Sequence, residues 1–109
     1  MCSYNREQAR GDDIHNVISI VMHNQEVGIT GALRWVEDYH KQIGDRIVEW
    51  SKNTPWRNDT HPDVVRYTDG VINWVRANDC WHFESHRYFG AAGLEIQKTR
   101  VVTLMPRST

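Results

Sequence analysis

Helical periodicity constrains this chain more than any other feature of its sequence. Apolar side chains recur three and four residues apart, a spacing that places them on one face of an α-helix. The pattern predicts a short helix over 3–10 and longer helices over 12–25, 31–52 and 62–85. Helices this long usually bury their apolar faces in a larger bundle, so the sequence predicts an all-α fold.

Glycine and proline mark the breaks between these helices. Gly28 and Gly31 bracket the break between the second and third helices. Helix breakers and turn formers concentrate over 53–62, which we interpret as a loop rather than a domain boundary. Beyond the last helix, Gly90 and Gly93 interrupt the pattern, and the tail is predicted to be irregular.

Charge balance and the length of the apolar runs restrict the functional class. The 13 basic and 14 acidic residues leave a net charge of −1 with neutral histidines, which argues against a nucleic-acid-binding protein. The longest nearly apolar run, Val17–Met22, is far shorter than the roughly 20 residues that a membrane-spanning helix requires. Residues 1–13 are polar and unlike a secretory signal, so the predicted compartment is the cytoplasm.

A hydroxyl and a carboxylate share one face of the first predicted helix. Ser3 and Glu7 are four residues apart, and both offer the oxygen ligands that a hard divalent cation such as Mg²⁺ prefers. Arg6 and Arg10 flank them. The same residues also suit a solvated first turn with a local Glu–Arg pair, which is common on helix surfaces. Spacing alone leaves both interpretations open.

Two further groups consist of residue types that commonly bind metal ions. The adjacent carboxylates Asp12–Asp13 precede an apolar stripe, and this position favours the N-terminus of a helix, where acidic side chains interact well with the helix dipole. Cys80, His82 and His86 offer a thiolate and two imidazoles at helical spacing, which could chelate zinc. Because no credible fourth ligand lies nearby, we interpret the second group as a chance arrangement.

The run 81–90 combines aromatic rings with a permanent cation. Arg87 has several hydrogen-bond donors and Tyr88 adds a hydroxyl, and together they could hold a diphosphate oxygen. Trp81 lies seven residues before Tyr88, so both could face one cavity if the helix continues. The face of the tryptophan ring could stabilise a carbocation there. Core packing at a helix end, with Arg87 on the surface, is the alternative interpretation.

Taken together, the runs 3–13 and 81–90 closely resemble the C-terminal third of class I terpene synthases, particularly the fungal sesquiterpene cyclases. The resemblance extends to Trp35, 71–76 and 98–100. It implies that residues 1–109 form the C-terminal helices of a single terpenoid synthase bundle.

The resemblance also implies roles for individual residues. In that family an Asn, a Ser and a Glu at successive four-residue steps bind one magnesium ion, and Ser3 and Glu7 match the last two positions. Arg6 matches a basic residue that contacts diphosphate. Arg87–Tyr88 resembles the late Arg–Tyr pair that binds the same diphosphate, and Trp81 resembles an aromatic residue that lines the pocket. The implied reaction is Mg²⁺-dependent ionisation and cyclisation of farnesyl diphosphate.

The chain also departs from the family pattern. The Asn of the triad would fall two places ahead of Met1, and the aspartate-rich motif of the family lies further upstream. His82 and His86 stand where a small polar and an acidic residue are expected. We therefore expect a C-terminal fragment that is inactive alone. The alternative is a non-catalytic helical interaction module, or a remnant, that binds a protein partner through apolar stripes such as that of Leu33.

Overall fold

The computed structural model describes residues 2–53, 58 and 61–108, and within these ranges it is helical with no strand. The all-α prediction is therefore confirmed. The α-helices are α1 (Tyr4–Arg10), α2 (Val17–Asn24), α3 (Ile29–Asn53), α4 (Pro62–Glu84) and α5 (Gly93–Thr99), with 3₁₀ turns at Asp13–His15 and Gly90–Ala92.

The chain divides into two compact units. The first contains α1, α2, most of α3 and the tail from Thr103, and the second runs from Asn53 to Val102. The predicted loop over 53–62 falls at this division, but its residues 54–57, 59 and 60 lie outside the described part of the chain.

None of the helices in the described ranges has the length and apolar character needed to cross a membrane.

A small apolar core holds the first unit together. Ile18 and Val21 project from one face of α2 and are buried against Tyr4 of α1 and Ala32 of α3. The Tyr4 hydroxyl also donates to the sulfur of Met22 at 3.8 Å. Three helices therefore meet at this cluster, and the helix that carries Ser3 and Glu7 is one of them.

The second predicted helix starts later than its apolar pattern indicated. A continuous helix over 12–25 was expected, but Asp13–His15 form a 3₁₀ turn and α2 begins only at Val17. Asn16 separates the two, since its backbone is extended (φ −75°, ψ 134°) and its side chain accepts from the Ile18 N–H. Ile14 belongs to the predicted stripe by spacing, yet the break leaves it 73 % exposed.

The tail runs alongside α1 and is fastened to it by side chains. Asn5 donates to the carbonyl oxygen of Thr103 at 2.9 Å and accepts from the backbone N–H of Met105 at 2.8 Å. Gln8, one turn further along, donates to the carbonyl oxygen of Met105 at 2.7 Å. Residues 101–108 have no regular secondary structure, as predicted, but this part of the tail has a defined path.

The second unit contains a helix that the sequence did not predict. The tail was expected to be irregular from Gly90 onward, but Gly93–Thr99 form α5, which packs on the end of α4. The contact depends on Gly93, because a Cβ atom there would lie 1.8 Å from the carbonyl oxygen of Phe83. A glycine that looks like a helix breaker is in fact required for close approach of two helices.

We expect Gly93→Ala to lower the free energy of unfolding by about 1–3 kcal/mol, the usual cost of forcing an extra methyl group into a packed contact. Gly44→Ala in α3 is the matched control, because a Cβ at Gly44 meets no atom within 4 Å. Since alanine favours a helix over glycine, the control should gain roughly 0.5–1 kcal/mol. Urea unfolding followed by circular dichroism measures both changes. Equal effects of the two substitutions would contradict the described contact.

Candidate functional site

The candidate metal ligands lie on one face of α1, as their spacing predicted. Ser3 occupies the N-cap position of this helix, and its side chain makes no capping hydrogen bond. Its carbonyl oxygen instead accepts from the Glu7 N–H at 3.1 Å, which starts the helix and sets Glu7 one turn above it. Both residues are partly buried. The serine hydroxyl and the glutamate carboxylate thus point from adjacent turns of one short helix.

The end of α1 is fixed by its backbone. Gly11 has a positive φ of 76° and donates to the carbonyl oxygen of Gln8, and Asp12 donates to that of Glu7. This pair of hydrogen bonds is a Schellman motif, in which a glycine adopts the left-handed conformation that ends a helix. The chain therefore reverses direction within a few residues and returns toward Ser3 and Glu7.

That return brings in a residue that the sequence analysis did not select. The side-chain nitrogen of Asn16 donates to the Glu7 carboxylate at 2.7 Å and to the Ser3 hydroxyl oxygen at 3.3 Å. Asn16 is buried, with 8 % of its surface exposed. An asparagine just before an apolar run is a recognisable N-cap signal, but its partners nine and thirteen residues earlier are not readable from spacing.

These contacts favour the ionised form of Glu7. The Asn16 amide is the main cause that lowers the pKa of the Glu7 carboxyl below its ordinary value of 4.5, and the nearby Ser3 hydroxyl acts in the same direction. Glu7 is therefore a carboxylate at neutral pH. Its hydrogen-bond partner is the amide of Asn16, not one of the neighbouring arginines that the alternative interpretation proposed.

The donor set fits a hard divalent cation. The oxygen atoms of Ser3 and Glu7 converge on one electropositive NH₂ group, and hydroxyl and carboxylate oxygens are the ligands that such cations prefer. In the ranges that the structure describes, no cluster of three or more His, Cys, Asp or Glu side chains is placed to hold a metal. A cation bound by these two residues would take its other ligands from water or from an anionic ligand.

The adjacent carboxylates have a different role from the predicted one. The expectation that Asp12–Asp13 cap the following helix was wrong, because Asn16 is the N-cap of α2. Asp13 instead accepts a hydrogen bond from the Ser19 hydroxyl, and Arg107 lies 3.9 Å from the same carboxylate oxygen. The Ser19 hydroxyl is the main cause that lowers the pKa of Asp13 below its ordinary value of 3.8.

A second group of candidate residues lies in the second unit. Helix α4 ends at Glu84, so the continuous helix expected to align Trp81 with Tyr88 is not present. Their rings nevertheless meet edge to face with centroids 6.4 Å apart. The Arg87 guanidinium lies over the Tyr88 ring at 5.5 Å. The structure therefore brings Trp81, Arg87 and Tyr88 together through the turn after α4.

In the run 81–90, the interpretation as core packing at a helix end is correct for the two phenylalanines. Phe83 is buried and stacks on Phe89 with ring centroids 5.3 Å apart. Trp81, by contrast, is 46 % exposed, and Arg87 is also exposed. The run thus divides into the packed rings of Phe83 and Phe89 and an exposed cation, Arg87, beside the exposed Trp81 and the partly exposed Tyr88.

The zinc arrangement is not formed. His86 lies beyond the end of α4 with a positive φ of 58°, so it does not share a helical face with His82. The Nδ1 atom of His82 is engaged with the carbonyl oxygen of Asn78.

Comparison with known proteins shows similarity to terpene synthases. Residues 1–46 match the family model described as terpene synthase family 2, C-terminal metal binding. The chain is 52 % identical to a Delta(6)-protoilludene synthase of Stereum hirsutum over 106 residues, which cover 95 % of this chain and 29 % of the relative. It is 51 % identical to a Delta(6)-protoilludene synthase of Armillaria ostoyae, covering 96 % and 31 %, respectively. A sesquiterpene synthase of Postia placenta is 42 % identical, with coverage of 98 % and 31 %.

The chain is similar to terpene synthases over nearly its whole length. The resemblance seen in the sequence is therefore confirmed, and Ser3 and Glu7 both fall within the segment matched by the metal-binding model. The chain spans about 30 % of the length of the curated relatives it matches.

The lowered pKa of Asp13 predicts a pH-dependent effect of Ser19→Ala. Because the folded-state pKa lies below the ordinary 3.8, ionised Asp13 stabilises the fold above that pH, and the contribution is lost as pH falls through the folded-state pKa. Ser19→Ala removes the main cause of the shift. The variant should therefore be less stable than the parent near neutral pH, and the difference should narrow in acid.

Urea unfolding at a series of pH values measures this difference. Ser51→Ala is the control, because the Ser51 hydroxyl donates to the Val48 carbonyl oxygen within α3 and not to a carboxylate in the part of the chain that the structure describes. Its effect should not change with pH. If the effect of Ser19→Ala did not change with pH, the hydrogen bond from Ser19 would not be the main cause of the lowered pKa of Asp13.

Proposed function

We propose that this chain supplies the C-terminal part of the single catalytic domain of a cytoplasmic sesquiterpene synthase, which ionises farnesyl diphosphate with Mg²⁺ and cyclises the resulting cation. The convergence of the Ser3 and Glu7 oxygens on one electropositive group carries the proposal. The similarity to terpene synthases and the metal-binding description of the family model that matches residues 1–46 support it.

The ligands proposed for the metal are the Glu7 carboxylate and the Ser3 hydroxyl. Glu7 is already ionised at neutral pH, so no proton has to leave before it binds a cation. When bound, Mg²⁺ supplies positive charge that stabilises diphosphate as the carbon–oxygen bond of the substrate breaks. Arg6, exposed on the same helix, is proposed to donate to a diphosphate oxygen.

Arg87 and Tyr88 are proposed to bind the diphosphate through guanidinium and hydroxyl donors. These donors stabilise negative charge as it develops on the leaving oxygens, so they act on the bond-breaking step itself. Trp81 is proposed to line the pocket, where its ring face can stabilise the allyl cation and its bulk can exclude water. No residue of the chain is assigned as a general base.

Binding of magnesium diphosphate to the chain tests the site directly. Mg²⁺ and pyrophosphate together should raise the melting temperature of the chain, because a ligand that binds only the folded state stabilises it by about 2.7 kcal/mol at 100 times its Kd. Ser3→Ala and Glu7→Gln should remove this rise. The controls Ser51→Ala and Glu49→Gln change the same residue types near the end of α3, where Ser51 is partly exposed and Glu49 exposed, and should keep the rise. No rise in the parent chain would argue against a metal site.

A chimera tests the reaction. The matching segment of the Stereum hirsutum relative is replaced by this chain, and turnover of farnesyl diphosphate is measured with Mg²⁺. We expect terpene product, with Arg87→Ala lowering kcat roughly 100-fold or more because a donor to the developing charge is lost. Arg66→Ala is the matched control, since Arg66 is exposed and pairs only loosely with Asp63.

The alternative function, a non-catalytic helical module, also has a structural basis. Leu33, Ile43 and Ile47 on α3 are each more than a third exposed. An inactive chimera, combined with self-association of the chain or binding to a protein partner, would favour this alternative over the synthase.

A further inference from the structure

The orientation of the Asn16 amide is fixed by the backbone beside it. Its Oδ1 atom accepts from the Ile18 N–H at 3.0 Å, and a backbone N–H can only donate. A flipped amide would set Nδ2 against that donor and Oδ1 against the Glu7 carboxylate. The Nδ2 group must therefore face Ser3 and Glu7, and it donates a hydrogen bond to each of them.

These bonds leave the oxygens able to bind a cation. A carboxylate has about four acceptor positions and a hydroxyl oxygen has two. Asn16 uses one position on each residue, at 2.7 Å from Glu7 and 3.3 Å from Ser3. The amide therefore restrains both side chains without using up the lone pairs that a metal requires.

We propose that Asn16 is a positioning residue for the metal: it holds the Ser3 hydroxyl and the Glu7 carboxylate in a convergent arrangement before the cation binds. This inference rests on the proposed function, because it assumes that Ser3 and Glu7 are metal ligands. Hydrogen-bonding partners of metal ligands fix the ligand orientation, and their loss typically weakens metal binding about 10- to 100-fold. Burial of Asn16 and its anchor on α2 make the restraint a rigid one.

The test uses Mn²⁺ as a spectroscopic substitute for Mg²⁺, with electron paramagnetic resonance of the full chain in the presence of pyrophosphate. Asn16→Ser keeps an N-cap for α2, since serine caps about as well as asparagine, but its side chain is too short to bridge the two ligands and lacks the amide donor. We expect the Mn²⁺ Kd to rise about 10- to 100-fold and the spectrum of the remaining bound Mn²⁺ to change.

Ser19→Ala is the matched control, because it also removes a side-chain hydrogen bond made by α2 but leaves Ser3 and Glu7 untouched. It should keep the Mn²⁺ Kd within about twofold of the parent, well below the 10- to 100-fold increase expected for Asn16→Ser. Asn16→Thr provides a second cap-preserving variant if the serine variant folds poorly. Urea unfolding gives the folded fraction of each variant, by which every Kd is corrected.

The outcomes separate the two proposals. Binding by the parent with an unchanged Kd and spectrum in Asn16→Ser or Asn16→Thr would overturn the positioning role and leave the proposed function standing. Absence of Mn²⁺ binding in the parent would overturn both. Weaker binding that is fully explained by a lower folded fraction would assign Asn16 a purely structural role and also overturn the inference.

Discussion

One primary amide joins the start of α2 to both candidate ligands on α1. Asn16 accepts with its oxygen from the Ile18 N–H in the first turn of α2 and donates with its nitrogen to Ser3 and Glu7. A buried polar group of this kind is costly unless its hydrogen bonds are made, and here the nitrogen of the amide makes them with the two candidate metal ligands. The fold of the first unit and the geometry of its candidate site therefore depend on the same side chain.

The features that could be predicted from the sequence are those that local periodicity controls, namely helix bounds and shared helix faces. Helices α3 and α4 lie within two residues of their predicted bounds, and the shared face of Ser3 and Glu7 follows from their spacing. Contacts across a chain reversal were not predictable in this way, so Asn16 was missed. Helix α5 was missed because the role of Gly93 depends on the nearby Phe83 carbonyl oxygen and not on the glycine's own preference.

The aromatic run shows a different relation between pattern and structure. Trp81 and Tyr88 were expected to face one cavity if the helix continued, but the helix ends at Glu84, and the two rings meet edge to face. The turn after Glu84, and not a continuous helix, brings the two rings into contact. The residue types predicted that Trp81, Arg87 and Tyr88 form one group. The path of the backbone after α4, in contrast, depends on the packing of Phe83 on Phe89.

The attachment of the tail to α1 has a consequence for synthesis of the chain. Asn5 bonds to residues 98 and 100 positions later, so these hydrogen bonds close a long loop. Loop closure over so many residues is slow. During translation, the helix that carries Ser3 and Glu7 therefore cannot form its contacts with the tail until Thr103 and Met105 have been synthesised.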